Sequence, residues 1–201
     1  MTHFFKKKTL SYFDSAAEGY DRRSRAGIWQ WLRKLELKEV FGAVRGSCPE
    51  KALDLGCGAG YYSWQLYQRG CRDITCVDIS QEMIKHCDVP ARKYVKNIED
   101  FCLEELFDLV LCAGALEFSL NPGKIFKNVG QMLKEDGAFV ILVPRKSLFG
   151  KLYQFYHRRH GLRILLFNLN DIHVLSRMSG LKIQQYRKVP LFSYIVLLTK
   201  K

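Results

Sequence analysis

Residues 52–63, ALDLGCGAGYYS, hold three glycines at alternate positions directly behind an apolar stretch that contains an acid, Asp54. Gly56, Gly58 and Gly60 can adopt backbone conformations that other residues avoid, and they let a ligand approach the main chain closely. A dinucleotide fingerprint spaces its glycines as GxGxxG and opens a helix onto a pyrophosphate. Here the spacing is GxGxG, and Asp54 would repel a diphosphate but would suit an ammonium group.

A second acid, Asp78, closes the apolar stretch CVDIS at residues 76–80. At the end of a strand this acid can accept hydrogen bonds from both hydroxyls of a ribose. Its alternative role is to cap the helix that begins near Ser80, and Asp54 has the comparable alternative of capping the glycine turn. If both acids bind a ligand, they describe a nucleoside that carries an amino-acid tail.

Strand and helix patterns alternate along the chain and would position these residues. Apolar runs predict strands over 51–55, 73–79, 92–97, 107–115, 138–144 and, as two strands joined near Pro190, 181–199. Amphipathic patterns predict helices over 11–23, 28–41, 61–70, 80–87 and 122–137. Such alternation predicts an α/β, doubly wound, Rossmann-like sheet of seven mostly parallel strands, with helices on both faces and an antiparallel C-terminal edge hairpin.

The composition of the 201 residues favours a single domain over residues 1–201. Within it we distinguish an N-terminal helical cap, residues 1–45, and a basic, aromatic lid segment, residues 145–168. The seven cysteines form no CxxC pair, so reduced and mostly buried thiols are expected, with no metal site. A zinc site or a disulfide framework is the alternative. No signal peptide and no apolar stretch of spanning length is found, so we expect a cytoplasmic protein.

The positive charge is unevenly distributed along the chain. The formal net charge is +12, and residues 137–201 hold 12 basic residues against one acid, Asp171. A basic third on a nearly neutral body favours a surface that meets an anion, whether phosphate, carboxylate, nucleic acid or membrane. Solubility alone is the alternative explanation.

The motifs together resemble those of the class I S-adenosylmethionine-dependent methyltransferases. LDLGCGAG is similar to the first motif of that family and CVDIS to the second. Three later segments also match: KNIEDF, FDLVLCAGALEF and LKEDGAFVILVP. The pattern YFDxxAxxYD, residues 12–21, resembles the small-molecule methyltransferases of ubiquinone and biotin biosynthesis. The resemblance implies S-adenosylmethionine as cofactor and S-adenosylhomocysteine as product.

The resemblance also implies contacts for each part of the cofactor. Asp54 and the glycine turn would hold the methionine part, and Asp78 the ribose. Asn97, with the main chain at Ile98 and Glu99, would meet the adenine; Asn97 departs from the acid often found there, but its amide can bond the adenine edge. Glu99 has the alternative role of a solvated acid in the first turn of a short helix. The implied cofactor-binding set is completed by Cys57, Ile79, Cys112 and Tyr20.

Methyl transfer from a sulfonium is a displacement, so it needs alignment and, for a hydroxyl or ammonium acceptor, a base. Glu117, just past the fourth strand, is the first candidate for a base or a substrate-orienting residue. Its alternative role is that of a loop carboxylate facing water. His157 and His160 in YHRRHG are the other catalytic candidates, because imidazole suits proton transfer near neutral pH. Membership of a solvated basic face is the alternative for each histidine.

The lid segment interleaves basic and apolar residues and contains no acid. Helical spacing places one set of apolar residues near one face: Leu148, Leu152, Phe155 and Tyr156. It places Lys151, Arg158 and Arg159 near another face. Three uses compete for such a surface: gripping an anionic small substrate, lying on an anionic membrane, or contacting RNA phosphates.

The favoured function is methyl transfer to a small-molecule acceptor, anionic or lipid-like. A tRNA- or RNA-directed methyltransferase is one alternative, although the segment after the fourth strand reads CAGA and lacks the [DNS]PP[YFW] motif of base methylation. A cofactor-binding partner protein without catalysis is the other alternative. The sequence assigns no oligomeric state.

Overall fold

The computed structural model describes residues 2–19, 27–43, 48–190 and 193–201. Two helices precede the sheet, α1 (Thr2–Ala17) and α2 (Gly27–Ala43). The first half of the sheet region comprises β1 (Lys51–Leu55), α3 (Tyr61–Gln68), β2 (Asp73–Asp78), α4 (Gln81–Lys85), β3 (Arg92–Val95) and β4 (Phe107–Ala113). The second half comprises α5 (Pro122–Met132), β5 (Leu133–Pro144), α6 (Leu148–Arg159), α7 (Leu169–Met178), β6 (Leu181–Val189) and β7 (Ser193–Lys200). Short 3₁₀ turns lie at Ile98–Asp100 and Leu116–Phe118.

Within the described residues the seven strands form one sheet in the order β3-β2-β1-β4-β5-β7-β6. Strands β1 to β5 run parallel to one another, and β7 pairs antiparallel with both β5 and β6. The predicted α/β fold with an antiparallel edge hairpin is therefore confirmed. Because the strand order reverses between β1 and β4, the carboxyl ends of these strands diverge and leave room for a ligand.

Each face of the sheet is covered by its own apolar cluster. Helix α5 contributes four buried side chains to one of these clusters, and they recur at helical spacing: Ile125, Phe126, Val129 and Met132. Asn121 begins this helix by accepting a hydrogen bond from the main-chain nitrogen of Lys124 at 3.2 Å, and Pro122 occupies the first turn. Helix α5 thus covers the sheet beside β4 and holds the segment after β4 in place.

The boundary between α5 and β5 differs from the prediction of a helix over 122–137. The helix ends at Met132, and β5 begins at Leu133, which pairs with Phe107 of β4. Gly137 lies inside the strand rather than beyond a helix: a Cβ there would come 2.9 Å from the main-chain oxygen of Phe107. The glycine is therefore needed for close packing of the two strands, and it does not mark a helix end.

The first helix also differs from the prediction of a helix over 11–23. Helix α1 begins at Thr2 and ends at Ala17, and residues 20–26 lie outside the described part of the chain. The turns before residue 11 include Lys6, which pairs with Glu99 across the fold. None of the described helices combines the length and the apolar character needed to cross a membrane.

Candidate functional site

The carboxyl ends of β1, β2 and β4 open onto a crevice. Its volume is about 980 Å³ when the open space at its mouth is included. The crevice is lined by the glycine turn, the end of β2, the 3₁₀ turn after β3 and the segment after β4. Helices α1 and α2 add side chains from the opposite side, so the crevice lies between the sheet and the N-terminal helices.

The glycine turn adopts backbone angles that only glycine takes easily. The φ angles of Gly56, Gly58 and Gly60 are +77°, +54° and +82°. A Cβ on Gly56 would come 2.2 Å from the Cβ of Ala115, and a Cβ on Gly60 would come 2.6 Å from the Sγ of Cys87. Two of the three glycines are therefore required by close packing as well as by conformation.

Asp78 joins the glycine turn to the end of β2. Its Oδ2 accepts a hydrogen bond from the Gly58 nitrogen at 2.8 Å, and its Oδ1 accepts one from the Ser80 nitrogen at 2.9 Å. Burial raises the pKa of Asp78, against the lowering effect of these donors. Each carboxylate oxygen has a further lone pair, so the side chain can still accept bonds from a ligand that enters the crevice. The helix-capping role falls to Ser80, whose hydroxyl accepts from the Met83 nitrogen at 3.0 Å.

Asp54 lies behind the turn and is not among the residues that line the crevice. Its side chain is only 1% exposed, and its Oδ2 accepts a 2.5 Å hydrogen bond from the Ser63 hydroxyl. Burial raises the pKa of Asp54 to about 7, and the Ser63 bond partly opposes the rise. The structure thus puts this acid beneath the turn, where its direct partner is α3.

Asn97, Ile98 and Glu99 all line the crevice opposite the glycine turn. The Asn97 Oδ1 accepts a hydrogen bond from the Glu99 nitrogen at 2.9 Å and so begins the 3₁₀ turn. The Glu99 carboxylate is buried and accepts three bonds from the segment after β4: Ser119 Oγ, Leu120 N and Asn121 N. Its other oxygen lies 2.9 Å from Lys6 Nζ. Glu99 therefore braces the site, in contrast to a solvated acid of a first turn.

The N-terminal helices supply crevice residues that the sequence analysis missed. Lys6, Thr9 and Phe13 of α1 line the crevice, and the Phe13 ring packs edge-on against the Phe118 ring at 5.1 Å. Asp14, one residue further, accepts a 2.5 Å hydrogen bond from the Ser80 hydroxyl. The YFD part of the pattern at residues 12–14 was the available signal for these contacts. The position of Lys6 had no such signal.

Helix α2 supplies a positive charge at another side of the crevice. Arg33 lines the crevice together with Tyr61 and Tyr62, and its guanidinium lies 4.8 Å from the centre of the Tyr61 ring. Glu36, one turn after Arg33, is buried, and burial raises its pKa to about 7 despite the opposing effect of Arg33. This side of the crevice is thus aromatic and cationic, with a buried acid behind it.

Glu117 is buried in the segment after β4 rather than facing water. Its side chain is 2% exposed, and within the described part of the chain its Oε2 has no hydrogen-bond partner. Burial raises its pKa to about 8, with a further contribution from Glu36. The main-chain oxygen of Glu117 accepts a 2.7 Å bond from the Leu165 nitrogen, which ties the end of the lid segment to the site. The raised pKa favours the protonated form of Glu117 at pH 7. Glu117 does not line the crevice, but it adjoins Phe118, which does.

His157 and His160 have different environments although both belong to the lid segment. His157 is buried among the rings of Tyr153 at 4.4 Å, Phe118 at 5.5 Å and Tyr12 at 6.2 Å. Burial, with a smaller contribution from His160, lowers its pKa to about 4, so its imidazole is neutral at physiological pH. His160 is exposed at the end of α6, where its Nδ1 lies 2.9 Å from a main-chain carbonyl one turn earlier.

The remaining predicted cofactor residues divide into three groups. Cys57 and Ile79 line the crevice. Cys112 does not line it and is fully buried in the apolar core on β4, next to Ala113, which does line it. Tyr20 lies outside the described residues.

The lid segment leaves the sheet and returns to it at the same place. Lys146 N donates to Phe167 O and Phe167 N donates to Pro144 O, both at 2.9 Å. Between these anchors, Ser147 caps the start of α6, and its hydroxyl accepts a hydrogen bond from the Gly150 nitrogen at 3.1 Å. The helix buries a narrow stripe that includes Gly150 and His157. The predicted amphipathic helix is therefore present, but its apolar side chains face outward.

The comparisons with known proteins agree with this geometry. A family model described as a methyltransferase domain matches residues 53–141. A malonyl-[acyl-carrier protein] O-methyltransferase of Bacillus cereus is 27% identical over 154 residues, which cover 73% of this chain and 56% of that protein. A ubiquinone biosynthesis O-methyltransferase of Acinetobacter baylyi is 25% identical over 174 residues, which cover 82% of this chain and 73% of that protein. The chain thus spans little more than half the length of the first relative.

The solved structures include the magnesium protoporphyrin IX methyltransferase of Synechocystis with bound S-adenosylhomocysteine. It superposes with a TM-score of 0.76 at 17% identity and covers 98% of this chain and 100% of that one. A sequence identity of 17% with this TM-score shows that the two chains share a fold, and it shows nothing about a shared substrate. The matched domain, the curated relatives and the strand order together support the resemblance of this chain to the class I S-adenosylmethionine-dependent methyltransferases.

Proposed function

We propose that this protein transfers the methyl group of S-adenosylmethionine to a small-molecule acceptor. The observation that carries the proposal is the crevice at the reversal of strand order, which brings the glycine turn and Asp78 into one site with Asn97. These residues lie in three separate segments that correspond to the methionine, ribose and adenine parts of the cofactor. The relatives are named methyltransferases, which supports the same assignment.

The residues of the crevice fit the cofactor part by part. The main chain of the glycine turn would meet the methionine part, with the buried carboxyl of Asp54 beneath the turn. Asp78 would accept the ribose hydroxyls through the lone pairs that Gly58 and Ser80 leave available. The main chain at Ile98 and the side chain of Asn97 would face the adenine. When bound, the cofactor supplies an electrophilic methyl group on a positively charged sulfur.

The acceptor would enter between the sheet and the N-terminal helices. Phe13 and Phe118 present aromatic rings there, and Arg33 presents a guanidinium beside Tyr61. Such surroundings favour a partly apolar acceptor that carries an anionic group. Both curated relatives are named O-methyltransferases, which favours oxygen as the accepting atom.

Positioning would supply much of the catalysis, because methyl transfer requires the acceptor, the methyl group and the sulfur to be aligned and needs no covalent intermediate with the protein. Glu117, neutral at pH 7, would orient the acceptor by donating a hydrogen bond from its carboxyl. His157 is a second candidate to receive the acceptor proton, but its burial among aromatic rings lowers its pKa to about 4 and so makes it a weak base. His160 is the exposed alternative for the same step.

Transfer of a labelled methyl group tests this function. The protein is incubated with S-adenosylmethionine carrying an isotopic methyl label, together with an extract divided into small-molecule, lipid, RNA and protein fractions. Label in the small-molecule or lipid fraction, with release of S-adenosylhomocysteine, is expected. Label in RNA would favour the tRNA- or RNA-directed alternative. Cofactor binding without label in any fraction would favour the non-catalytic partner and overturn the proposal.

We further propose that the enzyme works in the cytoplasm and reaches its acceptor at an anionic membrane surface through α6. Five large apolar side chains of this helix are about half exposed or more: Leu148, Phe149, Leu152, Phe155 and Tyr156. Lys151, Arg158 and Arg159 are exposed on the same helix. A helix with outward apolar side chains and flanking cations is typical of segments that lie in the interface of an anionic bilayer.

The charge of the surroundings favours lipid over an apolar protein partner. The lid segment contains no acid, so an anionic surface meets no repulsion from it. Each basic side chain near such a surface contributes about 1 kcal/mol of attraction. The buried side of the same helix presents His157 to Phe118, which lines the crevice. An acceptor dissolved in the bilayer would therefore have a short path to the site.

Co-sedimentation with lipid vesicles tests this contact. The wild-type protein is expected to bind vesicles that contain phosphatidylglycerol and to bind pure phosphatidylcholine vesicles much less. The double variant Leu152→Ser/Phe155→Ser should lose the binding. Met178→Ser, which changes an 80% exposed apolar residue on α7, is the matched control and should bind as the wild type does. Equal binding to both kinds of vesicle, or self-association abolished by the same double variant, would contradict the membrane assignment.

A further inference from the structure

Three buried cysteine thiols meet behind the glycine turn. The Sγ atoms of Cys57, Cys76 and Cys87 all lie within 4.8 Å of one another, and all three side chains are buried. Cys57 belongs to the glycine turn, Cys76 lies on β2, and Cys87 follows α4. Three separate segments therefore present one sulfur atom each to a common point.

The arrangement has the dimensions of a metal site. Thiolates that share a zinc ion lie about 2.3 Å from it, so their sulfur atoms are roughly 4 Å apart. The separations in this cluster reach that geometry with small side-chain shifts. Sets of cysteine sulfurs select soft or borderline cations, among them Zn²⁺ and Cu⁺, over Mg²⁺ and Ca²⁺.

The residues around the three thiols leave room for the sulfur atoms and place oxygen atoms beside them. A Cβ on Gly60 would come 2.6 Å from the Cys87 sulfur, so the glycine leaves room for that thiol. The Cys76 thiol lies 3.2 Å from the Ser63 hydroxyl, which in turn bonds to Asp54 at 2.5 Å. Oxygen atoms therefore border the sulfur cluster on the side of α3.

We propose that Cys57, Cys76 and Cys87 bind one thiophilic cation, with Zn²⁺ as the expected ion. Binding forms three metal–sulfur bonds and releases three thiol protons to solvent, so no oxidant or reductant is needed. The role of the ion is structural, because two of its three ligands, Cys76 and Cys87, do not line the crevice and only Cys57 does. It joins the glycine turn, β2 and the segment after α4, so it stabilises the folded chain where the cofactor would bind.

Titration of the reduced, metal-free protein with Zn²⁺ and with Cd²⁺ tests the site. Cd²⁺ reports thiolate bonds directly through an ultraviolet charge-transfer absorption, and a thermal melt in Zn²⁺ reports stabilisation. Cys76→Ser removes one ligand without touching the crevice, and Cys87→Ser removes a second independently. Cys71→Ser is the matched control, because Cys71 is equally buried but lies outside the cluster.

We expect the wild type and Cys71→Ser to bind one ion per chain with a three-thiolate absorption. Cys76→Ser and Cys87→Ser, shown to be folded by circular dichroism, should bind at least about 100-fold more weakly. A folded and fully reduced wild type that binds neither ion, or binds each no more tightly than Cys76→Ser does, would overturn the site. Because the readout uses metal alone, its failure would leave the methyltransferase proposal standing, and a failed cofactor titration would leave the metal site standing.

Discussion

The main-chain nitrogen of Gly58 donates a 2.8 Å hydrogen bond to Oδ2 of Asp78. This bond joins the turn after β1 to the end of β2, which are 20 residues apart in sequence. The acid that would hold the ribose therefore also fixes the turn that would hold the methionine part. Cofactor affinity and turn geometry are coupled through this one carboxylate.

Gly56→Ala should damage the turn through a clash. The new Cβ would come 2.2 Å from that of Ala115, at a φ of +77° that disfavours side chains. We expect binding of S-adenosylhomocysteine to weaken more than tenfold, as measured by calorimetry, because Ala115 lines the crevice. Gly70→Ala is the control: it has a φ of +107° but open space around its Cβ position. Equal loss of binding in both variants would show that backbone strain alone is responsible.

Glu99→Gln should loosen the packing of α1 on the crevice. The buried carboxylate accepts bonds from Ser119, Leu120 and Asn121 and pairs with Lys6. Loss of its charge is expected to lower the free energy of unfolding by about 2 kcal/mol. Chemical denaturation measures this change, and cofactor affinity should fall with it. An unchanged midpoint of unfolding would contradict the bracing role.

The same variant should change the response to acid. Although burial opposes the shift, Lys6 and the main-chain donors lower the pKa of Glu99 below its usual 4.5. A group with a depressed pKa stabilises the folded state above the pKa of the unfolded state, and this contribution is lost as the pH falls through the folded value. Below pH 4.5 the wild type should therefore lose stability more steeply than Glu99→Gln. Parallel acid-unfolding curves would be evidence against the lowered pKa.

Glu117 should have the opposite effect on the pH dependence of stability, so that the folded state loses stability as the pH rises. Burial raises its pKa from 4.5 to about 8, so the folded state keeps a proton that the unfolded state releases. Its contribution is complete below pH 4.5 and is lost as the pH rises to about 8, with a slope of at most about 1.4 kcal/mol per pH unit. Glu117→Gln should flatten the curve of stability against pH over this window. Glu104→Gln, at an exposed position, is the control and should leave the slope unchanged.

Much of the fold follows from local patterns in the sequence. The apolar runs that end at Leu55 and Asp78 predict adjacent parallel strands, and the glycine motif between them predicts where a ligand would lie. The helical pattern over 122–137 overestimates the length of α5, because Gly137 resembles a helix-ending residue. In the structure this glycine permits a close contact with Phe107, a residue on another strand, which no local pattern reveals.

The parts of the site that escaped prediction depend on contacts between distant segments. Lys6 and Glu99 are far apart in sequence, and nothing in the spacing of either residue indicates their pairing. The burial of His157 depends on rings from α1 and from the segment after β4, so the helical pattern of α6 alone could not reveal it. The three clustered thiols likewise come from three segments, and none of them forms a CxxC pair.

Calorimetric titration with S-adenosylhomocysteine and S-adenosylmethionine tests the central claim most directly. The wild type should bind both ligands with micromolar affinity, and Asp78→Asn should weaken binding by at least about tenfold, because a charged acceptor for the ribose hydroxyls is lost. Asp73→Asn, at the opposite end of the same strand, should bind as the wild type does. Failure of the folded wild type to bind either ligand, or equal binding by Asp78→Asn, would contradict the account.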